Sequence, residues 1–167
     1  VKEPAELAAL QTAVDITLAS LADAFVIARP GAWEFQAEAA IEAGFRRRGA
    51  SFRAFPSICG SGPNGCVLHY RDNERQLGAG ELLLMDVGAR YGGYCADVTR
   101  TIPVSGEFTP RQRELYELVL ATQRRCEAAL RPGTTMKEVH QVAVRSFEDA
   151  GYREAFRHGV GHHLGLR

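Results

Sequence analysis

Two aspartates, Asp86 and Asp97, are the residues whose type and spacing point most directly to chemistry. Asp86 follows the apolar run 82–85, and Asp97 lies in the strand-like run 94–99. The glycine-containing segment 88–93 predicts a turn, so the runs should form an antiparallel hairpin with the aspartates opposite each other. Like charges in that arrangement are destabilising, and a buried carboxylate is costly. A divalent cation would remove this cost, as would an orientation in which one aspartate points into solvent.

Three of the five histidines lie close together near the end of the chain, at His158, His162 and His163. Neutral imidazole is a common ligand for transition metals. Gly159 and Gly161 argue against a helix here, so the segment is predicted to be a strand or a loop. Histidines grouped among glycines favour a functional site over separate structural hydrogen bonds, although His163 is interpreted as structural.

Composition narrows the class of protein. The chain has 167 residues, which predicts one domain, and 20 basic against 20 acidic side chains, which argues against a general nucleic-acid or membrane-surface binder. No stretch is expected to reach the length of a transmembrane helix, and the start of the chain lacks a signal-peptide pattern. The four cysteines show no CxxC spacing and are predicted to be free thiols, which indicates a cytoplasmic setting.

The order of predicted elements is helix, helix, strands, helix, helix. Apolar spacing predicts a helix ending before Arg29 and a second over 32–48, strands and turns fill 51–101, and capping boxes begin two helices at Thr109 and Thr135. This order indicates an α+β fold with helices packed on an antiparallel sheet. The side chains predicted to face the core are Leu7, Leu10, Val14, Leu18, Leu21 and Phe25, then Trp33, Ala37, Ile41 and Phe45, then Leu115, Leu118, Val119, Thr122 and Cys126, and finally Val139, Ala143 and Phe147.

Three ordered motifs carry a family resemblance: SGPNGCVLHY (61–70), MDVGARYGGYCADVTRT (85–101) and HGVGHHLGL (158–166). Together they resemble the Xaa-Pro aminopeptidase and prolidase branch of the pita-bread, methionine aminopeptidase-like metallopeptidases. The segment 98–120 is similar to bacterial Xaa-Pro aminopeptidases in particular. The resemblance implies a pita-bread fold, with a curved antiparallel sheet covered by helices. It also implies that residues 1–167 are a partial catalytic domain, without the family's N-terminal domain and the C-terminal part of its catalytic domain.

The same resemblance implies a metal site. Asp86 corresponds to the terminal carboxylate of one metal ion, Asp97 to the carboxylate that bridges two ions, and His162 to the imidazole ligand of the other ion. The implied cofactor is a pair of divalent ions, with manganese preferred and cobalt, zinc or iron as alternatives. Two further glutamate ligands are expected beyond Arg167, so the chain as given is expected to be a fragment that is inactive alone.

The resemblance also implies the reaction and its substrate contacts. A hydroxide bridging the two metals would attack the peptide bond between an N-terminal residue and a following proline. His69 and His158 resemble the substrate-side histidines, which serve in catalysis and in substrate binding, and Phe55 falls where the proline pocket is lined. The expected partners are peptides with proline in the second position, together with a second copy of the chain or a companion C-terminal fragment. Nucleic acid and membrane are not expected partners.

Two other interpretations remain open. The chain could be a non-catalytic peptide-binding or protein-binding module on the same fold, because fold does not fix function. The presence of Asp86, Asp97 and His162 favours enzyme ancestry over this interpretation. An unrelated α+β structural protein would require three ordered motifs to coincide. The sequence does not distinguish an aminopeptidase from a dipeptidase.

Overall fold

The computed structural model describes residues 2–166, which divide into two compact units: residues 2–108 with 164–166, and residues 109–163. Two helices, a set of antiparallel strands and two further helices follow one another along the chain. The predicted α+β class is therefore confirmed. Each unit is described separately below.

The first unit begins with two helices that pack against each other, α1 (Pro4–Ile27) and α2 (Glu34–Arg47). Pro4 occupies the first turn of α1, where its missing N–H costs nothing, and the backbone N–H of Glu3 donates to Glu6 Oε2 at 2.7 Å. In α2, the predicted core residues Ala37, Ile41 and Phe45 are buried, but Trp33 precedes the helix and is 40% exposed.

The predicted inner face of α1 is wrong for several residues. Leu7, Leu18 and Phe25 are 54%, 40% and 42% exposed. The buried residues are smaller on average, namely Ala13, Ile16, Thr17, Ser20, Leu21 and Ala24. The helices approach so closely that a Cβ on Gly44 of α2 would lie 2.7 Å from Ser20 Oγ. Because α1 is apolar on both sides, periodicity could not show which side this close contact selects.

By length and composition alone, α1 is long and apolar enough to cross a membrane. The expectation that no stretch reaches this length is therefore wrong. Its Thr17 is buried, with its hydroxyl accepting a hydrogen bond from the backbone N–H of Ala89 at 3.0 Å. The core helix of a globular unit meets the same criteria of length and hydropathy, and we assign α1 that role.

The strands of the first unit are β1 (Phe52–Arg53), β2 (Ile58–Ser61), β3 (Leu82–Val87), β4 (Ala89–Tyr91), β5 (Tyr94–Cys95) and β6 (Val98–Pro103). They form two three-stranded antiparallel sheets, with strand orders β1-β4-β5 and β2-β3-β6. The sequence of residues 51–59 does not indicate that this segment contains two strands, β1 and β2, which belong to different sheets. Pro56 lies in the break between them, and its lack of an N–H disfavours a continuous ladder.

The second unit contains α3 (Pro110–Ala129) and α4 (Met136–Asp149), both begun by the predicted capping boxes of Thr109 and Thr135. Its core is a small cluster of Cys126, Val139 and Ala143, with other apolar side chains packed around it. Thr122 is also buried, and Leu118 and Phe147 are half-buried. The prediction that Leu115 and Val119 face inward is wrong, because they are 36% and 53% exposed.

Candidate functional site

The hairpin that carries the two aspartates has a different register from the predicted one. Asp86 of β3 lies opposite Thr99 of β6, not opposite Asp97. The turn centres on Gly92 and Gly93, with φ of 57° and 87°, a conformation that favours glycine at both positions. A pairing of Asp86 with Asp97 would need a turn centred on Tyr91 and Gly92, one residue earlier. Moving the centre of the turn by one residue shifts the strand register by two, which preserves the alternation of side chains. Asp97 itself lies in the short link between β5 (Tyr94–Cys95) and β6.

The two aspartate side chains are close enough to interact. The Asp86 and Asp97 carboxyl groups share a hydrogen bond, and Thr99 Oγ1 donates to Asp86 Oδ1 at 2.9 Å. Burial raises the pKa of Asp86 above the ordinary aspartate value, and the neighbouring Asp97 carboxyl raises it further. The hydrogen bond from Thr99 and the charge of His69 act in the opposite direction. The pair therefore resists carrying two negative charges without a compensating cation.

This chemistry fits a divalent ion. Two partly buried carboxyl groups in contact offer hard oxygen ligands, and a cation would favour the ionised form of both. Within residues 2–166, no three His, Cys, Asp or Glu side chains converge closely enough to hold a metal ion. The described part of the chain thus presents an acidic pair that suits a cation.

His69 is the third predicted residue in this neighbourhood. It follows the short 3₁₀ helix Gly62–Cys66, and its imidazole is exposed. Its φ of 56° lies in the left-handed region, which residues with a side chain adopt infrequently. Since its charge acts on the pKa of Asp86, the first unit brings His69 near the acidic pair.

Phe55 lies between β1 and β2 and is half-buried. Its ring packs against the backbone that follows β3, because a Cβ on Gly88 would stand 3.0 Å from Phe55 Cε1. The same Cβ would overlap the carbonyl oxygen of Ala96. Gly88 therefore permits a close approach that sets an aromatic ring beside the hairpin of Asp86 and Asp97.

The C-terminal histidines belong to the second unit. Their segment is irregular, as the glycines predicted, and His158, His162 and His163 are all exposed. Nδ1 of His158 lies 2.8 Å from the Gly159 carbonyl oxygen, and Nδ1 of His162 lies 3.0 Å from that of His163. An Nδ1–H donated to a carbonyl leaves Nε2 as the unprotonated nitrogen of the neutral ring, which is the form that ligates metals. The structural role of His163 stays a prediction.

His158 also borders a cavity of about 580 Å³ within the second unit. Its ring meets the ring of Phe156 edge-on at 5.3 Å between centroids. The other lining residues include His140, Arg153 and Arg157. His158 therefore has an aromatic neighbour, and the charged groups that line the cavity with it are Arg153, Arg157 and Glu154.

Thr99 is the residue of this site that the sequence analysis missed. Its hydroxyl contacts Asp86 directly, and its position opposite Asp86 follows from the register. Two adjacent glycines strongly favour a two-residue hairpin turn. Centring the turn on Gly92 and Gly93 would have placed Thr99 opposite Asp86 from the sequence alone.

An acidic pair on an antiparallel hairpin, in a unit whose helices pack against its strands, is the arrangement expected of the pita-bread metallopeptidases. The chain belongs to metallopeptidase family M24, whose family model matches residues 8–167. This confirms the resemblance inferred from the three motifs.

Individual relatives agree with the family assignment. The chain is 38% identical to an Xaa-Pro aminopeptidase of Escherichia coli, over 99% of this chain and 42% of that protein. Among solved structures, proline aminopeptidase P II from Yersinia pestis matches with a TM-score of 0.92 and 39% identity, over 98% of this chain and 42% of the other. Prolidase from Pyrococcus furiosus matches with a TM-score of 0.95 and 33% identity, over 99% of this chain and 49% of the other. The chain thus spans less than half the length of these relatives.

Proposed function

We propose that the protein containing this chain is a metal-dependent exopeptidase that hydrolyses the bond between an N-terminal residue and a following proline. Residues 1–167 would form part of its catalytic domain. The observation that carries the proposal is the hydrogen-bonded pair of Asp86 and Asp97, which has the donor chemistry for a divalent cation. Family membership and relatives named Xaa-Pro aminopeptidase support the choice of reaction.

Asp86, Asp97 and His162 would hold two divalent ions, with manganese as the first choice and cobalt, zinc or iron as alternatives. Such ions, when bound, would supply an activated water nucleophile and Lewis acidity toward the substrate carbonyl. Asp97 would serve both ions, and Asp86 one. Thr99 would orient the Asp86 carboxylate through its 2.9 Å hydrogen bond.

The other predicted residues would act on the peptide. His69 and His158 would donate hydrogen bonds to the scissile carbonyl oxygen and stabilise the negative charge that develops there. Phe55 would give the proline ring an apolar wall, consistent with its position beside the hairpin. Residues 1–167 alone are expected to be inactive. The resemblance implies that a glutamate outside them is the general base, a function that typically contributes about 10²–10⁴-fold.

A non-catalytic peptide-binding module is the second candidate. It is favoured by one observation, that no three potential ligands converge within residues 2–166. The retained acidic pair favours the enzyme, because a binding module has no need of a partly buried Asp86 whose pKa is raised by burial and by a second carboxyl group.

The setting and assembly are also proposals. Cys66 is exposed and Cys59, Cys95 and Cys126 are buried, and all four are free thiols, which supports a reducing compartment such as the cytoplasm. Association with a second copy or with a companion polypeptide is proposed. Light scattering on the purified protein would measure its mass in solution.

The test uses the protein in its full natural length. Peptides with proline or alanine in the second position, otherwise identical, are incubated with Mn²⁺ before and after chelation. Release of the N-terminal residue from the proline peptide alone, abolished by chelation, is expected. A dipeptide and a tripeptide substrate distinguish dipeptidase from aminopeptidase activity. Metal and peptide binding without any cleavage would favour the binding module.

Elemental analysis tests the ligands separately. Asp97→Asn should prevent binding of two metal equivalents, because a neutral amide is a poor bridge, and Asp86→Asn should weaken one ion more than the other. Asp15→Asn is the matched control, since Asp15 is exposed on α1 and contacts Gln11. Two full equivalents in the Asp97 variant would refute the assignment of the bridge.

A further inference from the structure

Glu34 is a fully buried acidic residue that the proposed function does not use. It is the first residue of α2 and has 0% exposure. A buried carboxylate is costly unless it is thoroughly hydrogen-bonded. Its two oxygens accept hydrogen bonds from four residues of one segment. The donors are Ser61 N at 2.6 Å, Ser61 Oγ at 2.8 Å, Tyr70 Oη at 2.7 Å, Arg75 N at 2.9 Å and Asn64 Nδ2 at 3.2 and 3.4 Å.

These donors lie on both sides of His69 in the chain. Ser61 and Asn64 precede it, Tyr70 is the next residue, and Arg75 follows. The backbone N–H of Glu34 also donates to the carbonyl of Arg75 at 3.0 Å. The Glu34 side chain therefore bonds to both ends of the segment 61–75. The irregular loop that carries His69 lies between these two ends.

His69 itself needs such support. Its φ of 56° is unfavourable for a residue with a side chain, and a conformation of this kind persists only where the surrounding structure fixes it. Its imidazole is exposed. The backbone N–H of Tyr70 donates across His69 to the Val67 carbonyl at 3.3 Å, and the Tyr70 hydroxyl donates to Glu34, so Tyr70 links the turn that contains His69 to the buried carboxylate.

The ionised form of Glu34 suits this arrangement. Burial alone would raise the pKa of Glu34, but the hydrogen bonds from Ser61, Arg75 and Tyr70 outweigh it and lower the pKa. Burial and the hydrogen bond to Glu34 raise the pKa of Tyr70 to about 12. At neutral pH the carboxylate is the acceptor and the tyrosine hydroxyl the donor, so the two groups have complementary protonation states.

We propose that Glu34 is a positioning residue for His69: its buried carboxylate fixes the segment 61–75 and thereby sets where the imidazole stands. The catalytic part of this inference rests on the proposed function of His69. The geometric part, that Glu34 determines the conformation around His69, is independent of any activity.

The experiment compares three variants of the full-length protein. Glu34→Gln keeps the shape of the side chain but replaces one acceptor oxygen with a donor that faces other donors. Tyr70→Phe removes the hydroxyl that donates to Glu34 and that accepts from Asn64 Nδ2 and from the backbone N–H of Glu74. Glu6→Gln is the matched control, because Glu6 also lies in the first turn of a helix and accepts from a tyrosine, Tyr94, at 2.8 Å.

Two readouts are measured: the NMR resonances of the His69 ring, identified by their loss in His69→Asn, and kcat and KM on the proline peptide. Glu34→Gln should shift the His69 resonances and lower kcat at least about tenfold, with KM changed less than about threefold. Tyr70→Phe should act in the same direction with about a threefold loss of kcat. Glu6→Gln should leave both readouts unchanged.

A folded Glu34→Gln protein with wild-type His69 resonances and kcat would overturn the inference, as would equal effects from Glu6→Gln. If Glu34→Gln does not fold, Tyr70→Phe decides, and unshifted His69 resonances in that variant refute the positioning role. If the wild-type protein cleaves nothing, the proposed function has failed, while the resonances still decide whether Glu34 positions His69.

Discussion

The two units of this chain use helix pairs in different ways. In the first unit, α1 and α2 share a core with strands, and the buried set runs from Ile16 through Phe45 to Leu83 and Val87. In the second unit, α3 and α4 contain well-formed capping boxes but enclose only a small cluster around Cys126 and Val139. Capping defines where a helix begins, whereas a second layer is needed to bury its apolar face.

The same contrast extends to the candidate site residues. Asp86 of the first unit is held by strand pairing and by Thr99, Asp97 lies in the short link between β5 and β6, and His69 belongs to a loop whose neighbouring residues bond to the buried Glu34. His158 and His162 of the second unit lie in an irregular, exposed segment, where each ring contacts the carbonyl of the next residue. A ligand supplied by a strand is positioned more precisely than one supplied by a loop.

The largest expected effect comes from Gly88→Ala. A Cβ at this position would overlap the backbone carbonyl of Ala96, which cannot move without disrupting the hairpin. We expect a loss of about 4 kcal/mol or more in the free energy of unfolding, or failure to fold. Gly161→Ala is the control in the second unit, where a Cβ has no neighbour within 4 Å. Denaturant unfolding of both variants would check the difference, and equal stabilities would contradict the contrast between the units.

A smaller effect is expected from matched leucine substitutions. Leu83→Ala removes a side chain with 0% exposure and should cost about 2–5 kcal/mol. Leu115→Ala, at a residue 36% exposed, should cost less than about 1 kcal/mol in the 1–167 chain. Unfolding of both variants should also be measured in the full-length protein. A cost for Leu115→Ala as large as that for Leu83→Ala would show that another part of the protein covers α3.

The smallest effect is a pH dependence. The pKa of Glu34 is lowered below its ordinary value of 4.5, so its contribution to stability is present above that pH and is lost as the pH falls toward the lowered pKa. The free energy of unfolding falls with decreasing pH, and we call the steepness of this fall the acid slope. Glu34→Gln should reduce the acid slope by the contribution of at most one proton, about 1.4 kcal/mol per pH unit.

Glu138→Gln provides the comparison in the second unit. Hydrogen bonds from Thr135 lower the pKa of Glu138, but its side chain is exposed, so solvent screens the interaction. The acid slope of this variant should stay close to that of the wild type. An unchanged slope in Glu34→Gln together with a changed slope in Glu138→Gln would reverse the assignment of acid sensitivity to the first unit.

Much of the fold was predictable because its signals are local. The capping boxes at Thr109 and Thr135 and the apolar run of β3 depend on neighbouring residues only, and all three are confirmed. The inner face of α1 was not predictable, because Leu18 and Ala13 are both apolar and only the closeness of α2 selects the smaller one. Leu115 has the helical spacing of a buried residue but is 36% exposed, because burial depends on a packed second layer that spacing does not report.

The sequence by itself determined the family, the acidic pair and its common face, since a two-residue error in register preserves the alternation of side chains. Only the tertiary structure decided that Glu34 is buried and bonded to the loop that carries His69. At the start of a helix, an acidic residue looks like a favourable surface charge. Its burial depends on donors that are distant in sequence, from Ser61 to Arg75, and no local pattern brings these residues together.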